Sequence, residues 1–155
     1  MVGEVRKNSG QKEETSFLII DAQSVKNTES AKEKSYDAGK KVSGIKRHIA
    51  ADTNGFPHAI LVTTGDITDR NGAIEMIQKN KKNLKKVQNV LADGGYSGQN
   101  FANEIKKIIG AKVEIAKRNE LHKFVVLPKR WIVERSFSWL EKCKRLWVGI
   151  LIARD

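Results

Sequence analysis

Apolar and polar residues follow two periods along this chain, and the switch between them marks the elements. Phe17-Leu18-Ile19-Ile20 is a continuous apolar run that predicts a strand over residues 16–22, with Asp21 at its end. Residues 46–51 and 58–63 predict a hairpin around Asp52-Thr53-Asn54-Gly55, because Asn and Gly both tolerate positive φ. A helix opens near Asp69, with Ala73, Ile74, Ile77 and Leu84 on its inner face. Residues 87–92 predict the next strand and residues 99–109 a second helix, whose Phe101, Ile105, Ile108 and Ile109 face inward. A short strand over 112–116 follows, then a last helix over 128–147. On that helix Ile132, Trp139, Leu140, Cys143, Leu146 and Trp147 form one apolar stripe, widened by Val133 and Phe137. Residues 24–41 are polar and read as a loop, and residues 1–16 as a disordered lead-in with little to pack. Strand, hairpin, helix, strand, helix, strand, helix makes an α/β domain with a mixed sheet.

Composition narrows the partners. With 155 residues the chain is expected to form one domain, and its net charge of +11 favours an acidic polymer as partner. No apolar run is long enough to span a bilayer, and the polar first residues lack the centre of a secretory signal. Cys143 is the only cysteine, which excludes a disulfide within the chain and a cysteine-based metal cluster. A cytoplasmic protein with no membrane partner is expected.

The chemistry centres on carboxylates. Asp21 and Asp93 both end strands, and ligands of open α/β sheets gather at the carboxyl ends of strands. Two acids on neighbouring strand ends repel unless a cation sits between them, a place that suits Mg²⁺. The ordinary alternative is an acid that begins a loop or caps a helix. For Asp93 the following Gly94-Gly95 weakens that alternative, since a backbone so compact suits close approach to a ligand. Glu134 is undecided by spacing. Arg130, Glu134, Glu141 and Arg145 all lie opposite the apolar stripe, as an ordinary solvated face with i,i+4 pairs would. Five lysines between Lys79 and Lys86 suit a phosphate backbone or, more simply, a solvated helix end.

Four motifs occur in order: Ile19-Ile20-Asp21-Ala22-Gln23-Ser24-Val25-Lys26, Gly44-Ile45-Lys46-Arg47-His48, Leu91-Ala92-Asp93-Gly94-Gly95-Tyr96 and Trp131-Ile132-Val133-Glu134-Arg135-Ser136-Phe137. Together they resemble the DDE-class transposases of bacterial insertion sequences, in the insertion-sequence four/five superfamily. The resemblance spans residues 16–147 and implies a ribonuclease H-like catalytic domain, with a mixed sheet flanked by helices. It places the DDE triad on Asp21, Asp93 and Glu134, as catalytic residues and as ligands of two Mg²⁺ (or Mn²⁺) ions. The implied reaction is cleavage and strand transfer of DNA, with transposon ends and target as partners. Arg130 matches the arginine four positions before the glutamate, while Leu127 stands where a tyrosine is expected. Glu141 stands where a basic residue is expected, with Lys142 beside it. Arg130, Arg135, Lys46, His48 and Lys142 are the candidate DNA contacts, with a packed histidine as the ordinary alternative for His48.

Relative to the family pattern, the chain reads as a copy truncated at both ends, with residues 148–155 an irregular tail. A homo-oligomer, or a separately encoded amino-terminal half, is therefore an expected partner. Two other readings stand beside an intact catalytic domain. One is an inactive remnant that binds nucleic acid through charge alone. The other is a stand-alone nuclease on the same fold, such as a junction resolvase.

Overall fold

The computed structural model describes residues 2–26, 35–116, 132 and 134–138. Among the described residues, six strands form one mixed sheet: β1 (Phe17–Lys26), β2 (Tyr36–Asp37), β3 (Val42–Ala51), β4 (Pro57–Thr64), β5 (Asn89–Ala92) and β6 (Lys112–Ile115). The order is β2-β3-β1-β5-β6, with β4 also paired to β3. Parallel pairing joins β1 to β5 and β5 to β6, while β3 runs antiparallel to β1 and to β4. The helices are α1 (Val2–Asn8), α2 (Asp69–Asn80) and α3 (Gln99–Ile109), and residues 134–138 are also helical.

Alternation along β1 divides the core. Leu18 and Ile20 point into a cluster with Met76 and Ile77 of α2 and Phe101 and Ile105 of α3. Ile19 points the other way, into a smaller cluster with Ile49, Ile132 and Phe137. A continuous apolar run is what a strand covered on both faces requires. Burying each Leu or Ile here contributes about 1.5–3 kcal/mol. Gly110 closes α3 in the left-handed conformation (φ 75°), its N–H donating to the Lys106 carbonyl at 2.8 Å.

Several boundaries differ from expectation. β1 runs on to Lys26 and Tyr36–Asp37 pairs with β3, so residues 24–26 and 36–37 of the polar stretch 24–41 are drawn into pairing. Periodicity missed this because these residues lack an apolar alternation. The amino terminus differs more. Val2–Asn8 is helical, and its Arg6 is buried, bonding the buried Asp52 carboxylate and the Lys12 carbonyl. The disordered lead-in expected for this stretch is therefore corrected: one long-range ion pair docks it without an apolar face. The β3–β4 turn follows the sequence reading, with Asp52 accepting from the backbone N–H groups of Asn54 (2.8 Å) and Phe56 (3.1 Å).

Candidate active site

β1 and β5 are in parallel register, Phe17 opposite Asn89 and Ile19 opposite Leu91. Continuing one for one sets Asp21 beside Asp93. Asp21 also pairs across β3 with Ile49, which lies in the cluster that holds Ile132 and Phe137. Asp93 follows Leu91 by two residues with extended backbone (φ −81°, ψ 178°), so it keeps the side that Leu91 shares with that cluster. Asp93 thus lies just past the carboxyl end of β5 and Asp21 midway along β1, just beyond its parallel pairing with β5, both on the face covered by the segment that bears Glu134. Each has an oxygen held by backbone: Asp21 Oδ1 accepts from the Ala22 N–H at 2.8 Å, and Asp93 Oδ1 from the Gly95 N–H at 2.9 Å. The chain then turns at once into a single 3₁₀ turn, Gly94–Tyr96, with Asp93 as its cap, and a Cβ on Gly95 would lie 3.0 Å from Asp93 Oδ1.

Glu134 is seated less directly. On either side of it Ile132 and Ser136 are buried, and Ser136 Oγ donates to the Ile132 carbonyl (2.9 Å) and the Gly55 carbonyl (3.0 Å). Arg135 Nη2 donates to the Asn54 carbonyl at 2.8 Å. The β3–β4 turn is therefore the socket for this segment, and Glu134 occupies its exposed side. Among the described residues, no three His, Cys, Asp or Glu side chains are grouped to hold a metal ion. Asp21 and Asp93 come together on the sheet, and Glu134 does not complete a three-carboxylate cluster with them.

Behind the strand ends lies a network of charges that the sequence reading did not assemble. Lys46 Nζ lies 3.0 Å from Asp37 Oδ2 and 2.9 Å from Asp69 Oδ1, and donates to the Ile67 carbonyl at 2.8 Å. Lys40 Nζ reaches Asp69 Oδ2 at 3.2 Å and the Ala22 carbonyl at 2.9 Å. Burial opposes the charge on Asp37, yet hydrogen bonds from Ser24, Lys46 and the Lys40 backbone hold its carboxyl well below the usual range. Burial likewise opposes the charge on Lys46, but Asp69 and Asp37 raise its pKa. His48 is fully buried beneath α2, its Nε2 3.0 Å from Thr63 Oγ1, and burial pushes its pKa down to about 4.

These positions correct two candidate DNA contacts. Lys46 and His48 lie inside the fold, and both are committed to protein partners, because their strand positions face α2 rather than solvent. Arg135 is partly buried and bonded to the β3–β4 turn. Arg130 and Lys142 lie outside the described residues, as do the tryptophans of the apolar stripe and the tail 148–155. The lysines from Lys79 to Lys86 are exposed at the far end of α2, whereas Asp69, at its start, lies beside Ala22 through Lys40. Twelve helical residues span roughly 18 Å, so the run sits away from the aspartate pair. Asp69 was missed because an acid in a first helical turn reads as ordinary dipole compensation.

Residues 12–150 match the family model described as "Transposase DDE domain". The chain belongs to that family. A Burkholderia cepacia protein assigned as the transposase of insertion sequence element IS402 is 30% identical over 110 residues, which cover 66% of this chain and 52% of that protein. The chain thus spans about half the length of this relative. Among solved structures, the simian T-cell lymphotropic virus intasome in complex with PP2A regulatory subunit B56 gamma matches 92% of this chain and 44% of its own (TM-score 0.58, 13% identity). The catalytic core domain of BIV integrase matches over 90% of this chain and 86% of its own (TM-score 0.50, 10% identity). The expected ribonuclease H-like fold is the fold of this DDE domain: a mixed sheet with helices on its faces. Membership implies dependence on divalent metal, and aspartate oxygens on the adjacent strand β1 and just past β5 are donors that suit such an ion. Among the described residues, no helix of the domain is long and apolar enough to cross a membrane.

Proposed function

We propose that this chain carries out the DNA strand cleavage and strand transfer of an insertion-sequence transposase, with Asp21, Asp93 and Glu134 as the catalytic carboxylates. The observation that carries the reading is the register of β1 and β5, which sets Asp21 beside Asp93 on the face that bears Glu134. Backbone N–H groups hold one oxygen of each aspartate, so the pair is oriented before anything binds. Asp21, Asp93 and Glu134 would hold Mg²⁺ (or Mn²⁺), two ions in this reading, and the bound metal would supply activation of the attacking oxygen and charge stabilisation of the leaving oxygen of a phosphodiester. Asp21 and Asp93 would supply hard oxygen ligands, and Glu134, which does not group with them in this structure, would be the third carboxylate only once its helical segment moves toward them. In this reading water would attack a phosphodiester at the transposon end, breaking its P–O3′ bond and freeing a 3′-hydroxyl, which would then attack a target phosphodiester in line and displace a target 3′-hydroxyl. Arg130 and Lys142 belong to the DNA-contacting surface in this reading, and Arg135 orients Glu134 through the β3–β4 turn. The site is expected to work in the cytoplasm, within a homo-oligomer.

Thermal melting with and without Mn²⁺ tests the metal site, on wild type and Asp93→Asn. A rise in melting temperature with Mn²⁺, absent from the variant, is expected. A cooperative melt indifferent to Mn²⁺ refutes the active site and leaves a folded remnant that binds DNA by charge. Cleavage of branched DNA in preference to transposon ends would instead identify a stand-alone nuclease.

A further inference from the structure

The two aspartates are held alike, and each hold is backed from the start of α2. Asp93 Oδ1 accepts from the Gly95 N–H at 2.9 Å, and the Gly95 carbonyl accepts from Arg70 Nε at 2.9 Å. Asp21 Oδ1 accepts from the Ala22 N–H at 2.8 Å, and the Ala22 carbonyl accepts from Lys40 Nζ at 2.9 Å. Arg70 stands in the first turn of α2, and Lys40 pairs with Asp69 of the same turn at 3.2 Å. That turn is itself fixed. Thr68 caps it by accepting from the Asn71 N–H at 3.2 Å, Lys46 pairs with Asp69, and Ala73, Met76 and Ile77 are buried behind it. Two cations anchored at one helix start thus grip the two residues whose N–H groups orient the aspartates.

Helix stability does not account for Arg70. Its side chain is exposed, and a cation in a first helical turn opposes the helix dipole. The turn that it grips is short, with the Tyr96 N–H donating back to the Asp93 carbonyl at 3.1 Å, so a shift of Gly95 is passed to Asp93.

We propose that Arg70 and Lys40 are positioning residues that brace Asp93 and Asp21 through the Gly95 and Ala22 backbone, and so hold both carboxylates for a divalent cation. This rests on the reading of Asp21 and Asp93 as metal ligands. Outer hydrogen bonds that orient ligating carboxylates contribute roughly 10–100-fold in metal affinity. Charge alone predicts the opposite sign, because removing a cation beside the aspartates would tighten Mn²⁺ binding.

The test compares wild type, Arg70→Met, Arg70→Gln, Lys40→Met and Asp93→Asn in the full chain. Mn²⁺ affinity is measured by calorimetric titration, and urea midpoints in chelator. Methionine removes the donor, whereas glutamine removes the charge of Arg70 but keeps an N–H donor at the reach of Nε. Arg70→Met and Lys40→Met are expected to bind Mn²⁺ roughly tenfold more weakly, and Arg70→Gln to recover most of the loss. The chelator midpoint of Arg70→Met is expected to match wild type. Methionine variants that bind Mn²⁺ as tightly as wild type, or tighter, overturn the brace, as does Arg70→Gln weakened as far as Arg70→Met. A lower chelator midpoint in Arg70→Met, or an unfolded chain, shows a bond that serves the fold instead and also overturns it. Binding by wild type that is abolished in Asp93→Asn leaves the metal site standing whatever becomes of the brace. If wild type binds no Mn²⁺, the metal site falls and the brace with it.

Discussion

Replacing Gly72 by alanine sets two physical effects against each other, and the structure decides the sign. Gly72 lies in α2 with His48 directly beneath it. In a helix interior, alanine is favoured over glycine by about 1 kcal/mol, so propensity alone predicts stabilisation. A Cβ on Gly72, however, would lie 2.1 Å from His48 Cε1 and 2.2 Å from Nε2. Ordinary carbon contacts begin near 3.5 Å, so α2 and the imidazole must separate by roughly 1.4 Å. Neither gives easily: His48 is fully buried and bonded to Thr63, and α2 is tied at its start by Lys46 and Lys40. Overpacking of this kind costs about 1–3 kcal/mol or more. The net expectation is a loss on the order of 2 kcal/mol, read as a lower urea midpoint with unchanged slope. The double variant with His48→Ala isolates the cause. In that background the added methyl should be neutral or stabilising, because its obstacle is gone. Gly72→Ala at least as stable as wild type would refute the argument, as would an equal loss in both backgrounds.

The same histidine predicts a pH dependence. Its native pKa near 4 lies below the unfolded value of 6.5, so the unfolded chain takes up a proton first as pH falls. Stability conferred by a neutral His48 is whole above pH 6.5 and is lost progressively down to about pH 4, on the order of 3 kcal/mol. Urea midpoints between those limits should slope in wild type and flatten in His48→Gln; parallel slopes would exclude the imidazole as the cause. Asp52 is buried and bonded to Arg6, His58 and two backbone N–H groups, so Asp52→Ala should cost about 3–5 kcal/mol by chemical denaturation. A change under 1 kcal/mol would mean that the pair adds little. Gly55 sits at φ 86°, and a Cβ there would meet Arg135 Nη2 at 3.0 Å and Ile132 Cγ2 at 3.3 Å. Gly55→Ala should therefore unseat the Glu134 segment and lower strand-transfer rate more than Mn²⁺-free stability; equal activity would show that the socket does not set Glu134.

What could be read from residue order alone was local or carried by motif. The Asn54-Gly55 turn, the helix over residues 99–109 and the apolar first half of β1 follow from φ preference and periodicity. The DDE membership followed from four motifs in order, and the match over residues 12–150 agrees. Partners distant in sequence were not legible. Arg6 and Asp52 are 46 positions apart, and nothing in an amino-terminal polar stretch announces that one arginine will be buried. Lys46 and His48 read as a basic strand face, since charge along a strand looks the same whether solvent or a helix lies above it. Only the crossing of α2 over β3 decided that these side chains are packed and that Asp37 and Asp69 neutralise Lys46. Composition told that the chain is basic, and tertiary structure decided which of those charges face outward. The strand-end aspartates belong to both levels. Their identity as acids after β-prone runs is written in the chain, but their adjacency arises only because β1 and β5 pair in parallel register, and pairing register is a property of the assembled sheet.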